Sequence, residues 1–495
     1  MPKSEKIVII GAGLGGISAA ISLATAGYNV SIYEKNSHIG GKLNVKEIDG
    51  FKFDLGPSIM ILPHIFAKLF EMAGKNMSNY ISIRQIEPQW RNFFKDGTIV
   101  DLWGDFKNME KELSRFDDDE VDGFYEFLDY SRRLWRFAVD NYFKKGADSI
   151  REVTEGHNMT EIIKKTDYFN IMRHSVEKHI KNPYLRDIMS FFIKYVGSSP
   201  YNAPALLNLL PYSQLGYGEW YVDGGMFGIS EGFQKLMKEL NIEIHLNSEV
   251  KQIVSDSDEV NGIILANNNY VEADIIVSNM EVIPAYEKLL GEDKHFMKKY
   301  HHRWEPSASG LVIHIGLDRE YPQLGHHNFF FAENLYRHMD DIHNKKIMPN
   351  DPTIYLVAPT RTDKTIAPEG HEIIKMLPHI PAIQDPPFPM EEYDQLKERC
   401  YDKVERMGLE NIRDHIVVED ILTPHDLEKM YYSDHGSIYG VIADKHRNKG
   451  LRAPKRSEKY DNLYFVGGSV NPGSGMPMVL YSGQMIRDKI IEDFE

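Results

Sequence analysis

The residues with the clearest chemical use stand near the start of the chain, where Gly11, Gly13 and Gly16 have G-x-G-x-x-G spacing. Glycines at this spacing permit a tight backbone turn, let a pyrophosphate approach the backbone, and let a helix pack closely on the preceding strand. Glu34 follows at a distance at which a carboxylate accepts hydrogen bonds from the hydroxyl groups of an adenosine ribose. The pattern predicts a dinucleotide site, but it does not by itself distinguish NAD from FAD.

The elements that must hold these residues follow from the spacing of apolar side chains. Ile7 to Ile10 predict a buried strand of a parallel sheet. Residues 17–24 carry apolar side chains at helical spacing until Gly27 provides a stop, and Val30 to Tyr33 predict a second strand that ends in Glu34. The order of these elements is that of a dinucleotide-binding unit: strand, glycine loop, helix, strand and acidic residue. This order argues against a glycine loop that matches the spacing by chance.

Two more groups of glycines select the longer of the two cofactors. Gly41 and Lys42 belong to the stretch "HIGGKLN" just after Glu34, and Gly56 and Pro57 form a turn in "FKFDLGPS". NAD recognition requires neither group. We predict that both contact FAD, which carries a ribityl chain and a three-ring flavin beyond its pyrophosphate.

A third glycine-rich stretch, "LYFVGGSVNPGSGMPMV", lies almost at the end of the chain. Its apolar strand, Leu463 to Val466, runs into a glycine loop, so we expect it to return to the first sheet and close the far end of the FAD site. A helix starting near Met478 would point its N-terminus at the flavin and ribityl end. The loop adds three predicted FAD contacts, which are Gly468, Gly475 and Met476.

The middle of the chain supplies further elements of the same unit. A helix with one apolar face around 233–240 precedes predicted strands at Ile242 to Leu246 and at Glu249 to Val254. Val250, at the start of the second strand, is a further predicted FAD contact. Residues 262–279 predict a hairpin that turns at 267–269.

The order of these elements predicts an α/β fold with two discontinuous domains. A Rossmann-like FAD-binding domain takes residues 1–89, 223–289 and 441–495. An α+β substrate domain takes residues 90–222 and 290–440 and is a candidate to face a membrane. Within it, the apolar stretches "DIMSFFIKYV" and "APALLNLLPY" suit either the wall of an apolar channel or ordinary core helices.

Composition excludes several classes of protein. A formal charge of −16 argues against a general nucleic-acid binder, because phosphate contacts need clustered Lys and Arg. The single cysteine, Cys400, can form no intramolecular disulfide, fits a reducing cytoplasm and is expected to be an inert structural residue. We expect no signal peptide and no membrane-spanning helix, since the apolar runs are too short.

The search for other reactive groups gives few candidates. The pairs His301-His302 and His326-His327 match no metal-binding spacing, and neighbours on a strand would face opposite sides. We therefore expect no metal site and interpret these histidines as surface or hydrogen-bonded side chains. No catalytic acid, base or nucleophile can be assigned. Asn471 in the terminal loop either contacts substrate or flavin, or only shapes its own loop.

A basic run at 445–459 contrasts with the acidic chain, since it has seven Lys or Arg against one Glu. Two interpretations stay open, a solvated loop and a patch that attracts anionic lipid. The second interpretation predicts that four basic residues, Lys449, Arg452, Lys455 and Arg456, lie at a membrane surface.

Over nearly its full length the chain resembles the bacterial phytoene-desaturase-type carotenoid flavoenzymes. The resemblance rests on the fingerprint from Gly11 to Glu34, "GGK" at Gly40 to Lys42, "FDLGPS" at Phe53 to Ser58, the pair Gly224-Gly225 and the terminal loop. Within the family, the stretches "NPYLR", "FFIKYVGSS", "HHNFFFAEN", "DPTIYLV" and "GGSVNPGSGMPM" look most like the branch that oxidises the ends of diapocarotenoids. Desaturases of the family have H-P-G-G-G in the terminal loop. This chain has Asn471-Pro472-Gly473-Ser474-Gly475, which argues against a simple desaturase.

The resemblance implies non-covalently bound FAD, a lipophilic C30 carotenoid and oxidation of its terminal methyl group to an aldehyde. It also implies oxygen or a quinone as electron acceptor, and a cytoplasmic protein peripheral to the inner face of the cell membrane. Three other functions stay open: a diapocarotenoid or phytoene-type desaturase, a flavin amine oxidase, and a GDI-like protein that escorts lipidated partners without catalysis. The complete set of Gly11, Gly13, Gly16 and Glu34 argues against the escort protein, because a protein without flavin does not need it.

Overall fold

The computed structural model describes residues 4–156 and 158–494, apart from the side chains of residues 118 and 159. The strands are β1 (Lys6–Ile10), β2 (Asn29–Tyr33), β3 (Val45–Ile48), β4 (Phe51–Asp54), β5 (Ile83–Gln85), β6 (Trp90–Phe93), β7 (Ile99–Leu102), β8 (Trp220–Val222), β9 (Glu243–His245), β10 (Val250–Asp256), β11 (Glu259–Leu265), β12 (Tyr270–Glu272), β13 (Ile275–Ser278), β14 (Ser309–Gly310), β15 (Val312–Leu317), β16 (His327–Phe330), β17 (Ile354–Val357), β18 (Glu372–Ile380), β19 (Ile416–Leu422) and β20 (Leu463–Phe465).

The α-helices are α1 (Leu14–Thr25), α2 (Pro63–Met72), α3 (Phe106–Leu113), α4 (Asp118–Ala138), α5 (Ile150–Thr154), α6 (Met159–Thr166), α7 (Met172–His179), α8 (Pro183–Phe191), α9 (Leu209–Leu215), α10 (Gly228–Glu239), α11 (Val282–Pro284), α12 (Lys294–Arg303), α13 (Leu335–Asp340), α14 (Met390–Arg406), α15 (Pro424–Tyr431) and α16 (Met476–Phe494). Short 3₁₀ helices include Phe192–Val196 and Ala205–Asn208, and π-helical turns follow α4, α11 and α13.

A five-stranded parallel sheet forms the first layer, in the order β20-β13-β1-β2-β9. Strand β1 lies at its centre, where Ile9 pairs with Val277 on one side and with Ile32 on the other. Because all five strands are parallel, the loops that follow β1, β13 and β20 emerge at the same edge of the sheet. This edge is where a ligand site is expected in an open α/β sheet.

The first and last helices lie against each other. Ser18 Oγ donates a hydrogen bond to Leu480 O at 2.6 Å. A Cβ on Gly483 would lie 2.5 Å from Ala19 N, so the contact requires a glycine in α16. The close approach of α1 and α16 brings the two ends of the chain to one side of the parallel sheet.

The second layer is an eight-stranded, mainly antiparallel sheet. Its path is β19-β15-β18-β17-β16-β6-β7, with β14 paired to β18 and with β6 and β16 parallel. Trp90 of β6 stacks on Phe192 at 4.1 Å between ring centroids and packs against Phe329 of β16 at 4.5 Å. These rings join the sheet to the helical region between α3 and α9.

These two layers confirm the predicted α/β fold. Each sheet is assembled from segments that are far apart in the sequence. The strands of the parallel sheet come from 1–89, 223–289 and 441–495, and those of the antiparallel sheet from 90–222 and 290–440. The division into two domains stays a prediction, because β5 also pairs with β8 across the predicted boundary. Residues 1–3, 157 and 495 of the predicted segments lie outside the described residues.

Most local predictions agree with the observed elements. The hairpin is the antiparallel pair β11 and β12, and the last helix begins at Met476 rather than Met478. His301 and His302 belong to α12, where His301 Nε2 contacts Glu287 Oε1 at 2.8 Å. Among the helices of the described residues, none combines the length and apolarity that crossing a bilayer requires.

The prediction of a basic membrane patch was wrong for two of its four residues, Arg452 and Lys455. Arg452 is 2% exposed and Lys455 is 0% exposed, so neither side chain can reach a lipid surface. Lys455 Nζ pairs with Asp148 Oδ1 at 2.6 Å. Other cations of the run pair with acids distant in sequence, as Arg447 does with Glu305 at 2.7 Å. Among the described residues, four of the seven cations therefore have acidic partners within the chain, and these are Arg447, Lys455, Arg456 and Lys459.

Candidate functional site

A cavity of about 490 Å³ opens at the edge of the parallel sheet, where the loops after β1 and β20 emerge. It extends between the two sheets to the helical region. Eleven predicted site residues line it: Gly11, Gly13, Glu34, Gly41, Lys42, Gly56, Pro57, Val250, Gly468, Gly475 and Met476. Gly16 is the predicted residue that lies beneath the cavity wall rather than on it.

The first glycine loop has no room for side chains. Gly11 has a φ of +91°, which favours glycine, and a Cβ on Gly16 would lie 2.1 Å from Gly11 O. A Cβ on Gly13 would lie 2.5 Å from Asn279 Nδ2. Gly16 N donates to Asn279 Oδ1 at 3.1 Å, so this asparagine fixes the loop from the end of β13.

The second glycine pair packs on the first loop backbone to backbone. Gly40 N donates to Ala12 O at 2.8 Å, and Gly40 and Gly13 form a parallel bridge. A Cβ on Gly41 would lie 3.1 Å from Gly13 Cα. The stretch after Glu34 therefore needs glycines because it forms one wall of the same narrow site.

The terminal glycine loop meets the first loop in space. A Cβ on Gly15 would lie 2.9 Å from Gly467 N, and Gly467 N itself donates to Ser482 Oγ at 2.9 Å. Helix α1 begins at Leu14 and α16 begins at Met476, and both residues line the cavity. Two helix N-termini thus supply backbone N–H groups and positive dipole ends to one site.

The carboxylate of Glu34 is buried at the end of β2. Its Oε2 accepts from Ala12 N at 2.7 Å and its Oε1 accepts from Asn36 N at 2.8 Å. These two bonds fix the side chain beside the first glycine loop and leave further lone pairs free for a ligand. Val250, the first residue of β10, lies on the same side of the cavity wall as Glu249.

Lys42 and Gly56 connect the cavity wall to later parts of the chain, Lys42 to the loop at 437–438 and Gly56 to the antiparallel sheet. Lys42 Nζ donates to Ser437 O at 3.1 Å and to Ile438 O at 3.0 Å. A Cβ on Gly56 would lie 1.7 Å from Lys42 O, so only glycine fits there. Lys375 of β18 donates to Asp54 O at 3.0 Å and also to Gly56 O, and burial lowers the pKa of its amine to about 8.

The side chain of Asn471 is fully used by protein partners. Its Oδ1 accepts from Tyr142 Oη at 2.6 Å and from Arg452 N at 2.8 Å. Its Nδ2 donates to Arg452 O at 3.1 Å and contacts Asp148 Oδ1 at 3.3 Å. Of the two interpretations of Asn471, these contacts favour the shaping of its own loop.

The inner end of the cavity carries a polar group that the sequence did not reveal. Lys194, in the 3₁₀ helix after α8, is buried, and burial lowers the pKa of its amine to about 7 while the charge of Glu219 opposes the shift. Glu219 is fully buried, and its pKa is raised well above the usual value by burial. Tyr195 and Tyr355 line the cavity beside Lys194.

The apolar stretches fulfil both of their predicted roles. Val196, Leu206, Leu207 and Leu210 line the cavity, whereas the neighbouring Phe192 belongs to the core. α4 and the π-helical turn after it contribute further apolar side chains, which are Trp135, Phe137, Ala138, Tyr142 and Phe143. Apart from its glycine-lined part and Lys194, the cavity is therefore mainly apolar.

The histidines do not form a metal site in the part of the chain that the structure describes, where no group of three or more potential ligands occurs. His326 Nδ1 bonds to Thr362 Oγ1 at 2.6 Å, and His327 Nδ1 bonds to Tyr355 Oη at 2.9 Å. Burial lowers the pKa of both imidazoles, to about 3 for His326. Both are the hydrogen-bonded histidines that the sequence predicted.

The geometry fits both ends of FAD. The first loop, the N-terminus of α1 and Glu34 match what a pyrophosphate and an adenosine ribose require. The terminal loop and the N-terminus of α16 lie next to them, where the ribityl and flavin end of a longer dinucleotide would continue. Glycines at which a Cβ would meet backbone or a fixed side chain form the cradle, and the apolar remainder is open to a second ligand.

Comparison with known proteins agrees with this geometry. A family model described as flavin containing amine oxidoreductase matches residues 14–486. The chain is 51% identical over 493 residues to a 4,4'-diapolycopene oxygenase of Methylomonas sp, covering 99% of each chain. It is 47% identical over 487 residues to a 4,4'-diaponeurosporene oxygenase of Staphylococcus aureus (strain USA300), covering 98% of each chain.

Among solved structures, an oxidoreductase from Methanosarcina mazei superposes with a TM-score of 0.64. The alignment covers 98% of this chain and 100% of that chain at 14% sequence identity. This likeness concerns the fold alone.

Proposed function

Because the chain belongs to the family of flavin-containing amine oxidoreductases and uses FAD, we propose that it oxidises the terminal methyl group of a C30 carotenoid to an aldehyde. The observation that carries the proposal is the full-length similarity to two oxygenases of diapocarotenoids. A long, mainly apolar cavity that begins at the FAD end supports it, since a polyene offers no charge for recognition.

The predicted site residues have distinct proposed roles. Gly11 and Gly13 let the FAD pyrophosphate reach the N-terminus of α1, and Glu34 accepts hydrogen bonds from the adenosine ribose. Gly16 acts indirectly, by letting α1 pack on β1. The remaining proposed contacts surround the adenosine, ribityl and flavin portions and are Gly41, Lys42, Gly56, Pro57, Val250, Gly468, Gly475 and Met476.

FAD supplies the capacity to take two electrons from a carbon held against its ring, and oxygen or a quinone is the proposed final acceptor. The protein contributes binding, orientation and exclusion of water. Leu206, Leu207 and Leu210 line the cavity together with Phe137 and Phe143, and these side chains would hold a polyene by apolar contact. The walls thereby fix which end of the chain approaches the glycine-lined region.

Product analysis in cells that already make 4,4'-diaponeurosporene tests the proposal. We expect a terminal aldehyde after expression of this chain. An extended polyene would replace the proposal by a desaturase, and unchanged carotenoid with flavin-free protein would replace it by an escort function. Oxidation of amines by the purified protein, with polyenes ignored, would identify an amine oxidase.

Glu34→Ala should weaken FAD binding without abolishing it. The variant loses hydrogen bonds to the ribose and to Ala12 N and Asn36 N, and each bond to a charged group contributes about 1.5 to 3 kcal/mol. Titration of apoprotein with FAD measures the effect, with Glu47→Ala at an exposed position as the control. Equal affinity of the two variants would contradict the assignment of Glu34.

A peripheral position at the inner face of the cell membrane is part of the proposal. Tyr168 and Phe169 are adjacent exposed aromatic side chains, and Phe169 is 69% exposed. The next residue, Asn170, accepts through its carbonyl oxygen from Ala205 N, beside the cavity-lining Pro204. The aromatic pair therefore lies where a polyene could enter from lipid, because aromatic rings favour the membrane interface.

Replacing Tyr168 and Phe169 together by Ser should reduce co-sedimentation with phosphatidylglycerol vesicles. Burial of a single large apolar side chain contributes about 1.5 to 3 kcal/mol, so a loss of about tenfold or more in vesicle affinity is expected. Phe106→Ser is the matched control, since Phe106 is 62% exposed on α3. Equal losses for the two variants would remove the aromatic pair as the membrane contact.

A further inference from the structure

The inner end of the cavity contains a buried amine that a purely hydrocarbon ligand does not require. Lys194 lines the cavity, yet it lies in a ring of aromatic side chains. Its Nζ is 4.2 Å from the ring centroid of Tyr195, 4.5 Å from that of Tyr355, 4.8 Å from that of Trp90 and 5.0 Å from that of Phe329. We refer to these four rings as the aromatic cage.

Among the residues that the structure describes, none accepts a hydrogen bond from Lys194 Nζ, and Glu219 acts on it only as a more distant charge. Glu219 Oε2 and His327 Nε2 also have no hydrogen-bond partner among the described residues, but neither residue lines the cavity, and the two tyrosine hydroxyl groups beside Lys194 are engaged elsewhere. Tyr195 Oη donates to Gln214 Oε1 at 2.5 Å, and Tyr355 Oη bonds to His327 Nδ1. The amine is thus the polar atom of this region that is left for a ligand.

Lys194 also lies close to the end of the cavity where oxidation is proposed. Ser474 Oγ of the terminal glycine loop donates to the backbone oxygen of Tyr195 at 3.3 Å, next to Lys194 in the chain. Tyr355 of β17 and Lys375 of β18 line the same wall. A polyene end held against the flavin portion of FAD would therefore be near the aromatic cage.

The free-energy cost of desolvation determines which kind of ligand atom this site favours. A carbonyl or hydroxyl oxygen moved from water into an apolar cavity without a partner costs about 1 to 3 kcal/mol, and a buried amine without an acceptor is also unfavourable. Each group satisfies the other, and an amine with a pKa of about 7 carries N–H donors in both of its protonation states. A methyl end offers no such partner.

We infer that Lys194 donates the hydrogen bond that holds the oxygen atom on the oxidised end of the polyene, an inference that rests on the proposed function. With O2 as the oxidant the conversion balances as R–CH3 + O2 giving R–CHO + H2O, and it would pass through the alcohol oxidation level. A donor at this position retains the oxygenated end at the site for the second oxidation. The site therefore binds an oxygenated end more tightly than a methyl end.

The test compares two probes on FAD-loaded protein, 4,4'-diaponeurosporene and the same polyene with one terminal aldehyde. Each is supplied from phosphatidylcholine vesicles, and bound polyene is measured after the vesicles are removed. Lys194→Met is the main variant, because methionine is flexible and fits irregular apolar space. Lys194→Gln is the second variant, and Lys235→Met on the exposed face of α10 is the control.

We expect the wild type and Lys235→Met to prefer the aldehyde, and Lys194→Met to lose about 10- to 100-fold in aldehyde affinity while keeping its affinity for the hydrocarbon. The visible band of the bound aldehyde should lie at longer wavelength in the wild type than in the variant. FAD content and thermal midpoint show whether each variant is folded. If Lys194→Met does not fold, the aldehyde and hydrocarbon affinities of Lys194→Gln are compared with those of the wild type instead.

Three outcomes would overturn the inference. Equal loss for both probes would make Lys194 a packing residue and leave the proposed function intact. No binding of either probe by the wild type would remove the proposed function itself. A mass adduct at Lys194 after sodium cyanoborohydride treatment would show an imine in place of the hydrogen bond.

Discussion

Gly13→Val should be recovered without bound flavin. A Cβ at this position would lie 2.5 Å from Asn279 Nδ2, and that asparagine is held in place because its Oδ1 accepts from Gly16 N. The added methyl groups would also occupy the space where Gly13 meets Gly41 and where a pyrophosphate approaches the backbone. The expected result is loss of the visible flavin spectrum from purified protein and failure of apoprotein to bind added FAD.

A pair of alanine variants separates the role of this glycine from the general effect of a new side chain. Gly13→Ala introduces the same 2.5 Å contact, whereas the nearest atom to a Cβ at Gly325 is 3.6 Å away, an ordinary contact. We expect weakened FAD binding for Gly13→Ala and full flavin content for Gly325→Ala. A folded Gly13→Val protein with the full flavin spectrum would disprove the placement of the pyrophosphate at this loop.

The part of the site that sequence predicts well is local in the chain. β1, the first glycine loop, α1, β2 and Glu34 occupy one short segment, and the contact that requires a glycine at Gly16, with Gly11 O, lies within that segment. The terminal loop was also predictable, because its glycines follow an apolar strand. A strand and loop of this kind have few other uses at the carboxyl edge of a parallel sheet.

Residues whose role depends on distant partners could not be predicted. Asn279 follows β13 and contacts a loop more than 260 residues earlier, and the only signal in the sequence was a polar residue at the end of an apolar strand. Lys194 appeared to be one lysine in an apolar stretch, "FFIKYV". Three of the four rings of its aromatic cage come from β6, β16 and β17, which only the fold brings together.

For the basic run at 445–459, a count of charges within the run led to a wrong prediction for buried residues. Seven cations in 445–459 suggested a lipid surface, but a count within the run cannot include acids elsewhere in the chain. Asp148, Glu292 and Glu305 lie far from the run in sequence and pair with its side chains. The segment crosses beneath the terminal loop, so part of its charge is buried with partners rather than exposed to solvent.

Lys455→Met should therefore destabilise the fold far more than removal of an exposed lysine from the same run. The Lys455 side chain is fully buried, and its Nζ lies 2.6 Å from Asp148 Oδ1. Asp148 Oδ2 keeps Lys489 at 3.3 Å, but removing one member of a buried charge network leaves a carboxylate poorly compensated. Such a loss costs about 3 to 5 kcal/mol. The urea midpoint of unfolding, followed by circular dichroism, measures the change.

Lys459→Met is the control from the same run, because the Lys459 side chain is 40% exposed and its pair with Glu292 at 2.6 Å is partly screened by solvent, so its removal should cost less than removal of the fully buried Lys455. The double variant Lys455→Met with Asp148→Asn should recover part of the loss, since it removes the uncompensated carboxylate as well as the amine. Asp148 also contacts Asn471 Nδ2, so the single variant should release FAD at lower urea than the wild type. Equal urea midpoints for the Lys455 and Lys459 variants would contradict a buried role for Lys455 and would favour the interpretation of 445–459 as a solvated loop.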